Sequence, residues 1–113
     1  MTTSLALEYI PRRMKELGYA QNYYLRFRHL VLQATEQLEL AAFNQIFILV
    51  EEPSDVKVQS DFGLYDTTDN QTNEQIYEHQ GLISVENFST RVNHVRFIQV
   101  IPYHKTNKYK SKN

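Results

Sequence analysis

The stretch from Ile46 to Val50 (Ile-Phe-Ile-Leu-Val) is the most apolar part of the chain and constrains its fold most strongly. It is short, and β-branched and aromatic side chains pack well on a sheet, so the stretch predicts a central strand within Phe43–Glu52. A short alternating strand, Leu38–Leu40, precedes it. Apolar residues recur at every second position in 23–32, 56–62 and 93–101. That period is typical of antiparallel strands.

Six or seven strands, spaced 8–14 residues apart, are predicted in the 113-residue chain. The sequence has no internal repeat, and helices do not alternate with strands as they would around a parallel sheet. The pattern therefore predicts a mostly β fold with a short helical N-terminal segment. We expect an antiparallel two-sheet sandwich, jelly-roll-like, or an open barrel. Residues 1–104 form one predicted domain, and 105–113 a basic, frayed tail with four lysines.

The N-terminal arm, about residues 4–18, carries the signals of helices. Ser4 is placed to cap a first turn, and Pro11 suits the start of a second piece because its missing N–H costs nothing there. Gly18 supplies a left-handed stop. The sequence thus predicts two short helical pieces that are broken at Pro11.

Turn signals separate the remaining strands. Pro53-Ser54-Asp55 predicts a tight turn, and Gly63 predicts a bulge or bend within a strand that continues from Val56 to Tyr65. Gln80-Gly81 predicts the corner of a hairpin. The segment from Asp66 to Glu74 contains no apolar residue and is expected to form an exposed loop.

Charge and composition exclude several classes of protein. The formal net charge is −1, but without the lysine tail the body carries 8 basic and 13 acidic side chains. A net-acidic body argues against general binding to a phosphate backbone. Residues 51–90 carry nine acids and one base, so they and the tail of a neighbouring copy are expected to attract each other. No secretion signal or membrane span is recognised, which predicts a soluble protein in the cytoplasm or in an assembled particle.

The chain lacks the motifs of known catalytic and metal centres. It has no cysteine, its three glycines are widely spaced, and its serines lack the setting of a nucleophile elbow. Asp61-Phe62-Gly63 matches three residues of the kinase magnesium motif without the rest of a kinase. Histidines at 29, 79, 94 and 104 lack the spacing of metal ligands, and so do the carboxylates of the 66–74 loop. We therefore predict no enzyme, no cofactor and no catalytic or metal-binding residue.

A cluster of basic and aromatic residues in the first third of the chain is the best signal for a partner. Tyrosine and arginine are enriched at the centres of protein interfaces, and the same residue types bind single-stranded nucleic acids. Equally, the tyrosines can pad the edge of a core beside a solvated arginine face. The candidate interface residues are Arg12, Arg13, Tyr19, Tyr23, Tyr24, Arg26 and Arg28.

These features together favour a non-enzymatic structural or interaction protein that self-assembles, with a second copy or another protein as its partner. In general type the chain resembles assembly components of phage particles or mobile elements, which combine a small cysteine-free β-domain with an N-terminal arm and a charged tail. Three alternatives stay open. They are a β-sandwich that binds a small ligand or carbohydrate through its tyrosines, a histidine-dependent metal enzyme, and a single-stranded nucleic-acid binder.

Overall fold

The computed structural model describes residues 1–68 and 74–103 of the chain. Within these residues it contains one α-helix followed by six β-strands, so a mostly β chain with a helical N-terminal segment is confirmed. The elements are α1 (Thr3–Glu16), β1 (Tyr23–Leu32), β2 (Gln37–Val50), β3 (Val56–Ser60), β4 (Gly63–Asp66), β5 (Glu78–Asn87) and β6 (Asn93–Pro102). The predicted basic tail lies outside the described residues, as do positions 69–73 of the predicted loop.

The six strands form a single antiparallel sheet in the order β1-β6-β2-β5-β3-β4, with β1 and β4 as its two edges. The sheet is not closed into a barrel, and the predicted division into two packed sheets is not confirmed. Alternating apolar residues look the same whether their strands belong to one sheet or to two. Strand β2 joins the two halves of the sheet, because it pairs with β6 on one side and with β5 on the other.

An irregularity in the middle of β2 lets this strand serve both halves of the sheet. Between Ala42 and Phe47 the strand advances five residues, while its partner β5 advances only two, from Gly81 to His79. Asn44 has a φ of 62° within this bulge. A bulge bends and twists a strand without ending it. The structure therefore has one long strand, β2, where the sequence predicted two.

Two apolar cores lie on the two faces of the sheet. On the face that we call inner, the core contains residues from every strand, including Leu32 of β1 and Tyr65 of β4. The buried residues of α1 all belong to the other core, so α1 does not cover the inner face. The inner side chains are nevertheless almost completely buried, and Tyr77, from the segment before β5, packs against them. The helix-side core contains Ala6, Ile10, Met14, Ile46, Ile48, Val50, Ile98 and Val100.

Helix α1 is continuous, so the predicted break at Pro11 is wrong. Pro11 has no N–H to donate to the Leu7 carbonyl. Both residues lie on the exposed side of the helix, so water can hydrogen-bond to that carbonyl instead. Thr2 caps the helix instead of Ser4, since its side-chain oxygen accepts a hydrogen bond from the Leu5 N–H at 3.1 Å. In the described part of the chain no helix is long and apolar enough to cross a membrane.

The predicted helix stop at Gly18 is confirmed. Gly18 has a φ of +92°, its N–H donates to the Lys15 carbonyl, and the Tyr19 N–H donates to the Met14 carbonyl, both at 3.0 Å. This is the Schellman arrangement, which satisfies carbonyls that would otherwise lack a partner at the end of a helix.

We expect Gly18→Ala to lower the free energy of unfolding by about 1 kcal/mol, because a Cβ disfavours positive φ. The space around the position is open, so strain in the backbone is the whole cost. Ala20, at φ 53°, is the matched control, and Ala20→Gly should raise stability or leave it unchanged. Urea denaturation of the two variants measures both effects. Equal midpoints for Gly18→Ala and the parent chain would contradict this account of the helix end.

Two further turn predictions are wrong. Gly63 begins the separate strand β4, which pairs with β3 in a hairpin, and it does not bend one long strand. Gly81 lies inside β5, opposite Ala42, so Gln80-Gly81 is no hairpin corner. Gly81 has a φ of +77° and lies opposite the start of the β2 bulge, so β5 is also irregular at this point.

Candidate functional site

The two edges of the sheet differ in how their backbone groups are satisfied. The β4 edge is covered by the segment that leads into β5. The Ile76 N–H donates to the Leu64 carbonyl at 3.0 Å. The Gln75 side chain accepts from the Asp66 N–H at 2.9 Å and donates to the Asp66 carbonyl at 3.1 Å. Backbone and side chain together therefore protect this edge as a further strand would.

The β1 edge has no such cover among the described residues, where β6 is the only strand that pairs with it. Tyr23 and Leu25 pack against the helix-side core. Phe27 and Val31 lie further along the same face and are 66% and 48% exposed. A ten-residue edge strand with two exposed apolar side chains is a template for pairing with another strand.

Arginines give the inner side of the β1 edge a positive charge. Arg26 is exposed, whereas Arg28 is held in place. The Arg28 Nη1 donates to Gln99 Oε1 at 3.0 Å, and its guanidinium lies 5.7 Å from the centre of the Phe47 ring. The largely buried Gln99 in turn donates to Gln45 at 2.6 Å. This network fixes the direction of one cation beside the open strand.

The seven predicted interface residues do not form one surface. Tyr19 and Tyr23 pack against the helix-side core. Because successive side chains of a strand point to opposite faces, Tyr24, Arg26 and Arg28 lie on the inner face of β1. The remaining two arginines belong to α1. Tyr24 lies 6.4 Å from the ring of Tyr103. The arrangement leaves the inner-face residues of β1 as the part of this cluster that flanks the open edge.

The two helix arginines have different environments. Arg13 forms an ion pair with Glu78 of β5, with Nε at 2.9 and 3.1 Å and Nη2 at 3.0 Å from the carboxylate oxygens. Tyr9 donates a further hydrogen bond to the same carboxylate, and Gln80 donates at 3.2 Å. Arg12 is exposed and lies 5.9 Å from the Tyr9 ring. The Arg13–Glu78 ion pair therefore holds α1 against the sheet, a role that the sequence analysis missed.

Burial and the Arg13 ion pair act in opposite directions on the pKa of Glu78. Burial alone would raise it, but hydrogen bonds from Arg13 and Tyr9, with the positive charge of Arg13, lower the pKa below its usual range. Burial and the hydrogen bond to Glu78 raise the pKa of Tyr9 to about 12. Glu78 is therefore ionised at neutral pH and Tyr9 keeps its proton.

A buried histidine holds the segment before β5 against the β3–β4 hairpin. His79 Nε2 lies 2.9 Å from the Ile76 carbonyl, so this nitrogen carries the proton, and Nδ1 accepts from the Ser60 hydroxyl at 2.6 Å. Burial lowers the pKa of His79 and keeps the ring neutral. The Ser60 oxygen also accepts from the Phe62 N–H at 3.1 Å. Because both ring nitrogens are engaged, this serine–histidine contact is a structural one.

The other two histidines in the described part of the chain, His29 and His94, contact each other on the surface. His29 of β1 and His94 of β6 lie diagonally across the strand pair, and His29 Nε2 is 2.8 Å from His94 Nδ1. Both side chains are exposed. Loss of solvent around the ring, together with the charges of Arg96 and His94, lowers the pKa of His29.

Two observations concern the predicted metal and carbohydrate alternatives. Within residues 1–68 and 74–103, no group of three or more histidine, aspartate or glutamate side chains is arranged to hold a metal ion. A cavity of about 560 Å³ between the β2–β3 and β5–β6 loops has no tyrosine in its lining. Another, of about 210 Å³ at the end of α1, has one, Tyr19. Neither matches the tyrosine-lined pocket expected of a carbohydrate binder.

Comparisons of the chain with protein-family models, with curated proteins and with solved structures give no match.

Proposed function

We propose that this chain is a self-associating structural module whose β1 edge pairs with β1 of a second copy. The open edge carries the proposal, because it is ten residues long and flanked by Phe27 and Val31, whereas the β4 edge is already covered. Pairing of two edges extends the sheet and removes backbone groups and apolar side chains from water together. A role as an assembly component of the phage or mobile-element type, in a particle or in the cytoplasm, is the broader form of this proposal.

The side chains of β1 favour one register for such a pair. Two identical antiparallel strands related by a two-fold axis are centred on a residue, which faces its own copy. A centre at Phe27 sets Arg26 opposite Arg28, and a centre at Arg28 sets two arginines opposite each other; like charges in these positions destabilise. A centre at His29 sets Phe27 opposite Val31 and each arginine opposite a leucine. This register covers both exposed apolar residues.

Cysteine cross-linking tests the register directly, because the chain has no cysteine of its own. In the proposed pair, position 29 faces position 29 of the second copy, at the separation that a disulfide requires. Oxidation of His29→Cys should therefore give a covalent dimer at low protein concentration. Phe27→Cys is the matched control and should form no covalent dimer on oxidation, since its partner position is Val31. Cross-linking at 27 but not at 29, or at neither, would contradict the register.

Light scattering after size exclusion tests the association itself. We expect a dimer that Phe27→Lys weakens at least about tenfold, since the change removes an apolar contact and adds charge to an already cationic edge. Phe43→Lys is the control, because Phe43 is equally exposed, at 61%, but lies in the β2 bulge. Monomeric parent protein would refute the proposal, and so would equal effects of the two variants.

Salt distinguishes this edge from a contact between oppositely charged regions. The proposed pair brings four arginines near one seam, so added salt should strengthen it by screening their repulsion. Attraction between the acidic stretch 51–90 and the lysine tail predicts the reverse. A dimer that dissociates at high salt would therefore favour the charge contact and contradict pairing through β1.

A further inference from the structure

The exposed side chains of His29 and His94 lie close enough together to bind one metal ion. The nitrogens of the two rings, His29 Nε2 and His94 Nδ1, already lie 2.8 Å apart. Two imidazole nitrogens bound to one metal at about 2.0–2.1 Å are about 2.9 Å apart at a bond angle of 90°, and about 3.3 Å apart at the tetrahedral angle. The observed nitrogen separation is close to that of the right-angled arrangement, which is typical of tetragonal copper(II) and nickel(II). The ring centroids are 5.0 Å apart, so the two nitrogens now face each other, and both rings must turn to bind one ion.

Both rings are able to act as ligands in this position. They are exposed, so each ring can turn about its side-chain bonds until both lone pairs point at one ion, and water can fill its remaining coordination positions. The proton now shared between the rings moves through solvent to the far nitrogen of its own ring. Two neutral imidazoles therefore bind the metal without net release of a proton.

One neighbouring charge opposes a cation at this position. Arg96 lies directly across the strand pair from His29 and on the same face. Glu51, which accepts hydrogen bonds from Thr3, is close enough to Arg96 for the two charges to attract. That carboxylate offsets part of the arginine's repulsion for a metal ion.

We propose that His29 and His94 form a surface site for a tetragonal divalent transition-metal ion, copper(II) above all, with one ion bound to each chain. The strongest affinity of nitrogen ligands among the first-row divalent ions is for copper(II). Both ligands belong to β1 and β6 of one chain, so the site does not need a second copy.

Titration of untagged protein with copper(II), in competition with glycine and followed by electron paramagnetic resonance, tests the site. We expect one ion per chain and a spectrum with two imidazole nitrogens in its equatorial plane. His29→Gln and His94→Gln should each weaken binding at least about tenfold, since loss of either ring removes the chelate. Arg96→Gln should strengthen it about threefold, the effect of removing a nearby unit charge in solvent.

His104→Gln is the control, because it keeps both proposed ligands, and it should bind as the parent chain does. The buried His79 does not compete, since both of its ring nitrogens are engaged. A spectrum with one nitrogen would overturn the proposal. Equal affinity of the parent, His29→Gln and His94→Gln chains would do the same, since the ion would then be bound elsewhere.

Discussion

Arg13→Met is expected to lower the free energy of unfolding at pH 7 by about 2–4 kcal/mol. The substitution leaves the Glu78 carboxylate, whose side chain is only 10% exposed, without its cationic partner. Removing one member of a fully buried ion pair typically costs about 3–5 kcal/mol. The expected loss is smaller here because the Arg13 side chain is 25% exposed and water screens part of the interaction. Denaturant unfolding at pH 7 measures it.

The Arg13→Met deficit should shrink in acid. In the parent chain the pKa of Glu78 is lowered, so its stabilising effect is present above the unfolded-state pKa and is lost as pH falls through the folded-state pKa. Without Arg13, burial raises the pKa of Glu78, and protonation then relieves the cost of the unpaired charge. Unfolding measured at pH 7 and near pH 4.5 compares the two chains. A deficit independent of pH would show that lost packing, not the charge, is its source.

Two further variants isolate the ion pair. Arg12→Met changes the adjacent arginine, which is exposed, and should alter stability by less than about 0.5 kcal/mol. Arg13→Met combined with Glu78→Gln removes both charges while the amide still accepts the Tyr9 hydrogen bond. This double variant should recover more than half of the loss. Equal losses in the single and double variants would contradict the role of the charge.

His79→Leu has the second large expected effect, a loss of about 2–4 kcal/mol in the free energy of unfolding at pH 7.5. The change deprives the part-buried Ile76 carbonyl of its donor and the part-buried Ser60 hydroxyl of its acceptor, beside a His79 side chain that is itself completely buried. Each unsatisfied buried polar group costs about 1–3 kcal/mol. His94→Leu, on the surface, is the control and should change stability by less than about 0.5 kcal/mol.

The pH dependence of stability identifies His79 as the group responsible. Its pKa is lowered in the folded chain, so the unfolded chain binds a proton first as pH falls below about 6.5. The parent's free energy of unfolding should therefore decrease in this range, by up to about 1.4 kcal/mol per pH unit. His29, whose pKa is also lowered, adds a change of the same sign. The slope should be smaller in His79→Leu, and an unchanged slope would contradict the assignment.

Local sequence patterns predicted the strands well and their connections poorly. The alternation in β1 and β6 and the left-handed residue at Gly18 are properties of neighbouring residues, and both predictions are confirmed. Pro11 and Gly81 misled because each was interpreted alone. The exposed side of α1 tolerates the proline, and the bulge of β2 uses the glycine's positive φ. The single sheet depends on how β2 divides its pairing, for which the sequence has no short-range signal.

The candidate sites depend even more on contacts between distant residues. Arg13 and Glu78 are 65 residues apart, as are His29 and His94. Neither pair has a spacing that a motif would capture. The β1–β6 register brings the two histidines together, and helix packing brings Arg13 to Glu78. Of the predicted interface residues, Arg26 and Arg28 lie beside the open edge, whereas the alternation of β1 places Tyr23 and Tyr24 on opposite faces of the sheet.

Strand β2 makes the two cores thermodynamically inseparable. Its alternate side chains fill both cores, so the helix cannot detach and expose its side of β2 without loosening the strand that supports the inner side. Amide hydrogen exchange should therefore show the second half of β2 opening only with global unfolding. Helix and sheet should melt in a single cooperative transition. The inner-core residues from this half of β2 are Phe47 and Leu49, and the helix-side residues are Ile46, Ile48 and Val50.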